Sequence, residues 1–225
     1  MARAIKAVVF DIIETCFSLE PQRAAMAEAG FSPGAFDIWF ARSLRDGFAL
    51  AASGSFARFR DVLAFNLDEL AAQEALVLSS ERRDALLAGF AKLPPHSDTV
   101  PAYTLLHEAG FRLFALSNGA TAGTSALLSN AGIDGLVEKI FSVEDWDAFK
   151  PQPEIYQRAV AAAELHPGEA VMAAAHAWDV HGAKEAGLKG AFVARGQRYP
   201  AFMTAPDFTG ETLADVVQQI VRARA

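Results

Sequence analysis

Asp11 is the first residue whose type and place suit chemistry. It closes the apolar run Ala7-Val8-Val9-Phe10, with Thr15 four residues on and Cys16 next to it. Short β-branched and aromatic runs of this kind read as a buried strand of a parallel sheet. Ligands of such sheets bind outside the carboxyl ends of the strands. A carboxylate there can act as a nucleophile, or it can simply cap the turn that follows. Three further polar positions fall at or just past predicted strand ends: Ser117-Asn118-Gly119 after FRLFAL, Lys150 in FKPQPEIY, and Asp179 in AAHAWD. Each has an ordinary structural job open to it, as a helix cap, a turn or a solvated loop lysine. Four strand ends meeting on one edge of a sheet nevertheless make that edge the candidate site.

The elements that would carry these residues alternate. After Cys16 the pattern turns helical, with segments expected over 21–29, 33–50, 56–67 and 70–78, and Ser79 as an N-cap for one more. In the second of these, Phe36, Trp39, Phe40, Leu44 and Phe48 lie near the 3.6-residue period. Lys92-Leu93-Pro94-Pro95-His96 breaks the helix and serves as a return linker. From there helices and strands alternate, with helices over 100–108, 121–130, 154–163, 179–186 and 213–222. Strands are expected over 111–116, 140–142, 170–174 and 190–194. This rhythm predicts an α/β fold, a doubly wound parallel sheet covered on both faces. Residues 1–16 and 97–225 would form the core, and residues 17–96 an inserted helical cap over the strand ends.

Composition narrows the function classes. The 225 residues are 52% hydrophobic, enough for a sizeable core, and 27 acidic against 20 basic residues give a net charge of −7. An acidic chain lacks the basic stripe that a nucleic-acid partner demands. It still leaves room for a local basic pocket and a small anionic substrate. No apolar run is long enough for a membrane helix or a signal segment, so a cytoplasmic location is expected. The single cysteine, Cys16, excludes an intramolecular disulfide and reads as a small buried apolar residue rather than a nucleophile.

The order Asp-x-x-x-Thr, helical insert, Ser-Asn-Gly, Lys-Pro-x-Pro-x-x-Tyr and a late Ala-Trp-Asp resembles the haloacid dehalogenase superfamily. Within it, the chain is most similar to the 2-haloacid dehalogenases, which have a Rossmann-like core and a helical cap after the first strand. The resemblance implies a hydrolytic dehalogenase of short 2-haloalkanoic acids that uses no cofactor and no metal. Asp11 would attack the halogen-bearing carbon, and water would hydrolyse the resulting ester. Lys150 would steady the Asp11 carboxylate, and Thr15 would hydrogen-bond it or its neighbours. Asp179 would pair with Lys150 and help place the water. Ser117 and Asn118 would bind the substrate, with Tyr156 and Trp178 lining the pocket. For Trp178, plain core packing is an equal alternative. The resemblance also implies a homodimer.

The chain departs from that pattern at several points. Phosphatases of the superfamily carry a second Asp where Ile13 stands here, and a magnesium-binding Asp where Ala175 stands, so a phosphatase of small phosphoesters is the second reading. A non-catalytic, dehalogenase-like binding protein is the third. Glu14 replaces the usual Gly before the Thr, and Ala174-Ala175-His176 replaces Ser-Ser-Asn. His176 would bind water or Asp11 as an orienter or base, or else fill space beside Trp178. The family's cap arginine follows a Trp, but Phe40 follows Trp39 here. Arg42, one turn or less away, is the expected substitute.

Overall fold

A computed structural model describes residues 3–224. Six parallel-paired strands form one sheet in the order β3-β2-β1-β4-β5-β6: β1 Ala7–Phe10, β2 Arg112–Ser117, β3 Lys139–Ser142, β4 Ala170–Ala174, β5 Lys189–Val193 and β6 Phe208–Gly210. The residues of β1 and β4 are all buried, as expected of short runs covered on both faces. Helices α5 (Thr99–Glu108) and α9 (Leu213–Arg224) pack together, as do α7 (Pro153–Ala162) and α8 (Ala177–Glu185), while α6 (Thr121–Asn130) follows β2.

Strand order reverses between β1 and β4, since the chain runs outward from β1 to β3 on one side and from β4 to β6 on the other. In doubly wound sheets the crevice at this reversal is where ligands bind. Phe10 stands beside Ala115 of β2 and Ala173 of β4. The residues that follow these three strands therefore emerge side by side.

Between β1 and α5 lie four helices: α1 (Glu20–Glu28), α2 (Ala35–Ser53), α3 (Phe59–Gln73) and α4 (Ser80–Ala88). Ser79 caps α4 by accepting from the Arg82 amide, as its position suggested. Where two helices were expected over 56–67 and 70–78, one continuous α3 forms. Nothing between Leu67 and Leu70 breaks a helix, because Asp68 and Glu69 leave every backbone bond available. The aromatic residues of the insert knit these helices together, with Phe40 of α2 packed edge-on against Phe59 of α3 and Trp39 edge-on against Phe90. The Trp39 indole donates to the Leu63 carbonyl at 2.8 Å, which fixes α2 on α3. Among the described residues no helix is long and apolar enough to cross a membrane.

Candidate active site

The strand-end residues form one connected, buried cluster. The Asp11 amide extends the ladder by donating to the Ala173 carbonyl at 3.0 Å, so the backbone is fixed where its side chain leaves the sheet. Asp11 Oδ1 accepts from Lys150 Nζ at 2.8 Å, and Oδ2 accepts from Thr15 Oγ1 at 2.6 Å. Thr15 Oγ1 in turn accepts from the Ala175 amide at 2.8 Å, which locks its hydroxyl toward Asp11. Lys150 is 1% exposed and has three acceptors for its three N–H groups: Asp11 Oδ1, Asp179 Oδ2 at 2.6 Å and the Leu116 carbonyl at 3.0 Å. An ammonium has no further donor to give, so the cation is held in one place. The Lys150 backbone is anchored as well, its amide donating to Asn118 Oδ1 at 3.1 Å. Tyr156 donates its hydroxyl to Asp179 Oδ1.

Burial penalises charge throughout this cluster, and the pairing decides which groups keep it. Desolvation acts against ionised Asp11, yet Lys150 and His176 outweigh it and hold the carboxyl well below the usual carboxylate range. Lys150 likewise loses solvation but is raised by its two carboxylate partners. Asp179 goes the other way. Burial and the nearby Asp11 charge lift its pKa against the pull of Lys150. Burial pushes the Cys16 thiol up to about 12, which leaves it protonated and poorly nucleophilic, as the sequence suggested.

On the far side of Asp11 stands His176, at the residue before α8. Its Nδ1 lies 3.1 Å from Asp11 Oδ2 and its Nε2 lies 2.8 Å from Glu14 Oε2. The ring stacks on Trp178, with centroids 5.1 Å apart and 24° between planes. Burial disfavours the imidazolium, but hydrogen bonds to Asp11 and Glu14 push its pKa up to about 10. Glu14 has φ +67°, in the left-handed region that glycine enters freely. This explains why a glycine suits this turn, and shows that a carboxylate has been placed there against a conformational cost.

Above the cluster a cavity of about 490 Å³ separates the strand ends from the inserted helices. Asp11, Ser117, Asn118, His176 and Trp178 line its floor, and Phe40, Leu44, Phe59, Leu63, Leu87 and Phe90 its roof. Thr15, Lys150, Tyr156 and Asp179 lie behind the floor and are not part of the lining, so Tyr156 supports Asp179 instead of facing the pocket. Arg42 is not in the lining either. Its guanidinium donates to Gln73 at 2.7 Å. At 100° per residue, position 42 points about 200° away from positions 40 and 44, the α2 residues that do face the cavity. The arginines that reach the lining are Arg58 and Arg60, at the start of α3, with Glu144 among the residues beside them. Sequence reading missed both, because an Arg-Phe-Arg stretch opening a surface helix has no periodic signal to distinguish it from a solvated face.

The donor set does not suit magnesium. Mg²⁺ requires a near-octahedral shell of hard oxygens. Here Ile13 and Ala175 offer no side-chain oxygen, both Asp179 oxygens are committed, and the Lys150 ammonium sits against Asp11. Among the described residues no group of three or more His, Cys, Asp or Glu is placed to hold a metal ion.

Comparison with known proteins agrees with this geometry. A family model described as haloacid dehalogenase-like hydrolase matches residues 5–187. The chain belongs to that family. The (S)-2-haloacid dehalogenase of Xanthobacter autotrophicus is 31% identical over 85% of this chain and 76% of its own length. Haloacetate dehalogenase H-2 of Moraxella sp. (strain B) is 25% identical over 97% of this chain and 99% of its own. The structure of the L-2-haloacid dehalogenase from Xanthobacter autotrophicus with chloropropionic acid covalently bound superposes with a TM-score of 0.89. That match is at 26% identity and covers 98% of this chain and all of the other.

Proposed function

We propose that this family member is a hydrolytic 2-haloacid dehalogenase in which Asp11 is the covalent nucleophile. The observation that carries the reading is the buried Asp11 carboxylate at the strand-reversal crevice, ionised by a saturated Lys150 and open to a cavity with an apolar roof. Oδ1 accepts one hydrogen bond and Oδ2 two, so Oδ1 keeps the greater lone-pair capacity for attack. Its lone pair forms a bond to C2 of the haloacid as the carbon–halogen bond breaks and the halide leaves with its electron pair. Back-side displacement inverts C2, so an (S)-2-haloacid yields an (R)-2-hydroxy acid.

Water then adds to Cγ of the ester, and as the Cγ–Oδ1 bond breaks one of its protons passes to the departing hydroxy acid oxygen. Asp179 holds Lys150 beside the reacting carboxyl throughout. Asp11 sheds the second proton to solvent, so each turnover releases one halide and one proton. Ser117 and the amides around Asn118 hold the substrate carboxylate, and the aromatic roof accommodates the alkyl group and halogen. Arg58 and Arg60 at the rim raise the local potential for an anionic substrate on an otherwise acidic protein.

A homodimer is part of the same reading. Phe65 on α3 (62% exposed) and Ile38 on α2 are large apolar residues that a second copy would cover, and sedimentation checks this. The experiment on function is halide release from chloroacetate, 2-chloropropionate and fluoroacetate in metal-free buffer. Release from at least one is expected. Release from none by a folded sample, or turnover of an aryl phosphate with magnesium, would refute the assignment.

A further inference from the structure

Two features of the site remain without a task in that reading: a carboxylate on a left-handed backbone at Glu14, and an imidazole clasped between it and the nucleophile. A neutral imidazole has one N–H, but His176 faces a carboxylate oxygen from each ring nitrogen, at 3.1 and 2.8 Å. Between two ionised carboxylates, both contacts are hydrogen bonds only when both nitrogens carry protons. The ring has little freedom to turn away, being stacked on Trp178, which itself packs edge-on against Phe48 of α2. Neither nitrogen is left to accept a proton from water while Asp11 and Glu14 are both ionised. His176 is arranged as a donor.

The oxygen it donates to is the informative part. Oδ2 of Asp11 is met by Thr15 Oγ1 at 2.6 Å and His176 Nδ1 at 3.1 Å, while Oδ1 meets Lys150. With Oδ1 alkylated, Oδ2 is the carbonyl oxygen of the ester. When water adds to Cγ, the carbonyl π pair moves onto Oδ2, and both donors already point at the oxygen where that charge appears.

We propose that Glu14 and His176 form an oxyanion-stabilising pair for ester hydrolysis, with His176 as a catalytic residue donating to Asp11 Oδ2 and Glu14 as the positioning residue that keeps the imidazole doubly protonated. This rests on the dehalogenase reading and deepens its second half-reaction. As the tetrahedral intermediate collapses, the pair returns from Oδ2 to re-form the carbonyl, the Cγ–Oδ1 bond breaks, and His176 retains its protons throughout.

The charged surroundings are consistent with this. Asp11 and Glu14 face His176 directly, and Lys150 stands across Asp11. Arg23 of α1 approaches Glu14 at 4.0 Å, and His96 meets the Glu14 carbonyl at 3.0 Å, its own proton affinity lowered by burial and by Arg195. Alkylation removes the Asp11 charge, so Glu14 alone then sustains the imidazolium. A neutral residue at position 14 would leave it without support at the step that uses it.

Rapid-quench kinetics with 2-chloropropionate, following halide and the intact mass of the ester, test the pair. His176→Leu is expected to release one halide per site in a burst and then to hydrolyse the ester about 10²–10³-fold more slowly. His176→Asn, which keeps an N–H without a charge, should recover part of that loss. In the wild type, hydrolysis should fall at alkaline pH as His176 loses its proton. Glu14→Gln should move that fall to lower pH by about one unit or more. A merely structural role would slow both phases and leave the pH limb in place, which overturns the proposal. Hydrolysis by His176→Leu at the wild-type rate, or a rate that rises with pH through the histidine titration, would also overturn it. Should His176→Leu fold poorly, the near-isosteric Glu14→Gln still decides through the position of its limb. A wild type that forms no ester and releases no halide would instead refute the dehalogenase reading itself.

Discussion

The floor and the roof of the cavity are built on opposite principles. On and just behind the floor, Asp11, Thr15, Lys150, Tyr156, Asp179 and His176 bond to one another through short contacts at the ends of the parallel sheet. The roof is aliphatic and aromatic, with exposed Arg58 and Arg60 at its rim. Charges on the floor are buried and mutually compensated, so removing one partner exposes another to an environment that cannot solvate it. Roof residues act through shape and through a screened field. Under the proposed function, bond-making belongs to the sheet and selection to the inserted helices. Substitutions should therefore separate into effects on kcat and effects on KM.

The largest effect tests the floor at its centre. Asp11→Asn removes the nucleophile and should lower halide release by about 10⁴-fold or more, the scale seen when a covalent nucleophile is deleted. Substantial residual turnover would show that water attacks C2 directly. Next comes Lys150→Met, which leaves Asp11 and Asp179 without their shared cation. A loss of about 10²–10³-fold in kcat is expected. Denaturant titration should show about 3–5 kcal/mol of lost stability.

The same variant carries a pH signature. The folded-state pKa of Asp11 lies below its unfolded value, so its contribution to stability is present above the usual carboxylate range and is lost as pH falls. Without Lys150 that loss should begin at higher pH, and the acid limb of the halide burst should move up with it. An unmoved limb would mean that Lys150 does not set the ionisation of Asp11.

Roof substitutions should be milder. Phe40→Ala enlarges the space above Asp11 and should raise KM for 2-chloropropionate about tenfold while leaving the burst rate near its original value. It should also improve turnover of bulkier 2-haloacids relative to chloroacetate. An equal fall in kcat for every substrate would erase the distinction between roof and floor. Smallest of all, Arg58→Ala and Arg60→Ala should each raise KM about two- to fivefold at low ionic strength, with the difference shrinking in salt. Arg42→Ala, whose guanidinium is occupied with Gln73, should change neither constant.

The same division describes what was legible in the sequence. Asp11, Ser117, Lys150 and Asp179 could be placed because each ends or follows a segment of the βα rhythm, and the doubly wound topology brings such positions to one edge. Glu14 and His176 stood out individually, as a carboxylate in a tight turn and an imidazole beside a tryptophan. Their pairing did not, since it joins residues 162 positions apart through the touching ends of β1 and β4. The expectation for Arg42 failed on helical phase: proximity in sequence to Trp39 and Phe40 put it on the wrong side of α2. Arg58 and Arg60 were invisible for a related reason. Which loop faces a cavity depends on how the insert docks on the core, and no local pattern encodes that docking.

The claim on which all of this depends is that Asp11 becomes an ester and is then hydrolysed at its own Cγ. Its most direct test is a single turnover in oxygen-18 water, with enzyme in excess over 2-chloropropionate, followed by mass analysis of the peptide containing Asp11 and of the hydroxy acid. The account predicts that the solvent oxygen enters the Asp11 carboxylate and that the product carries an oxygen from the protein. Solvent oxygen found in the hydroxy acid, with Asp11 unlabelled, would contradict it.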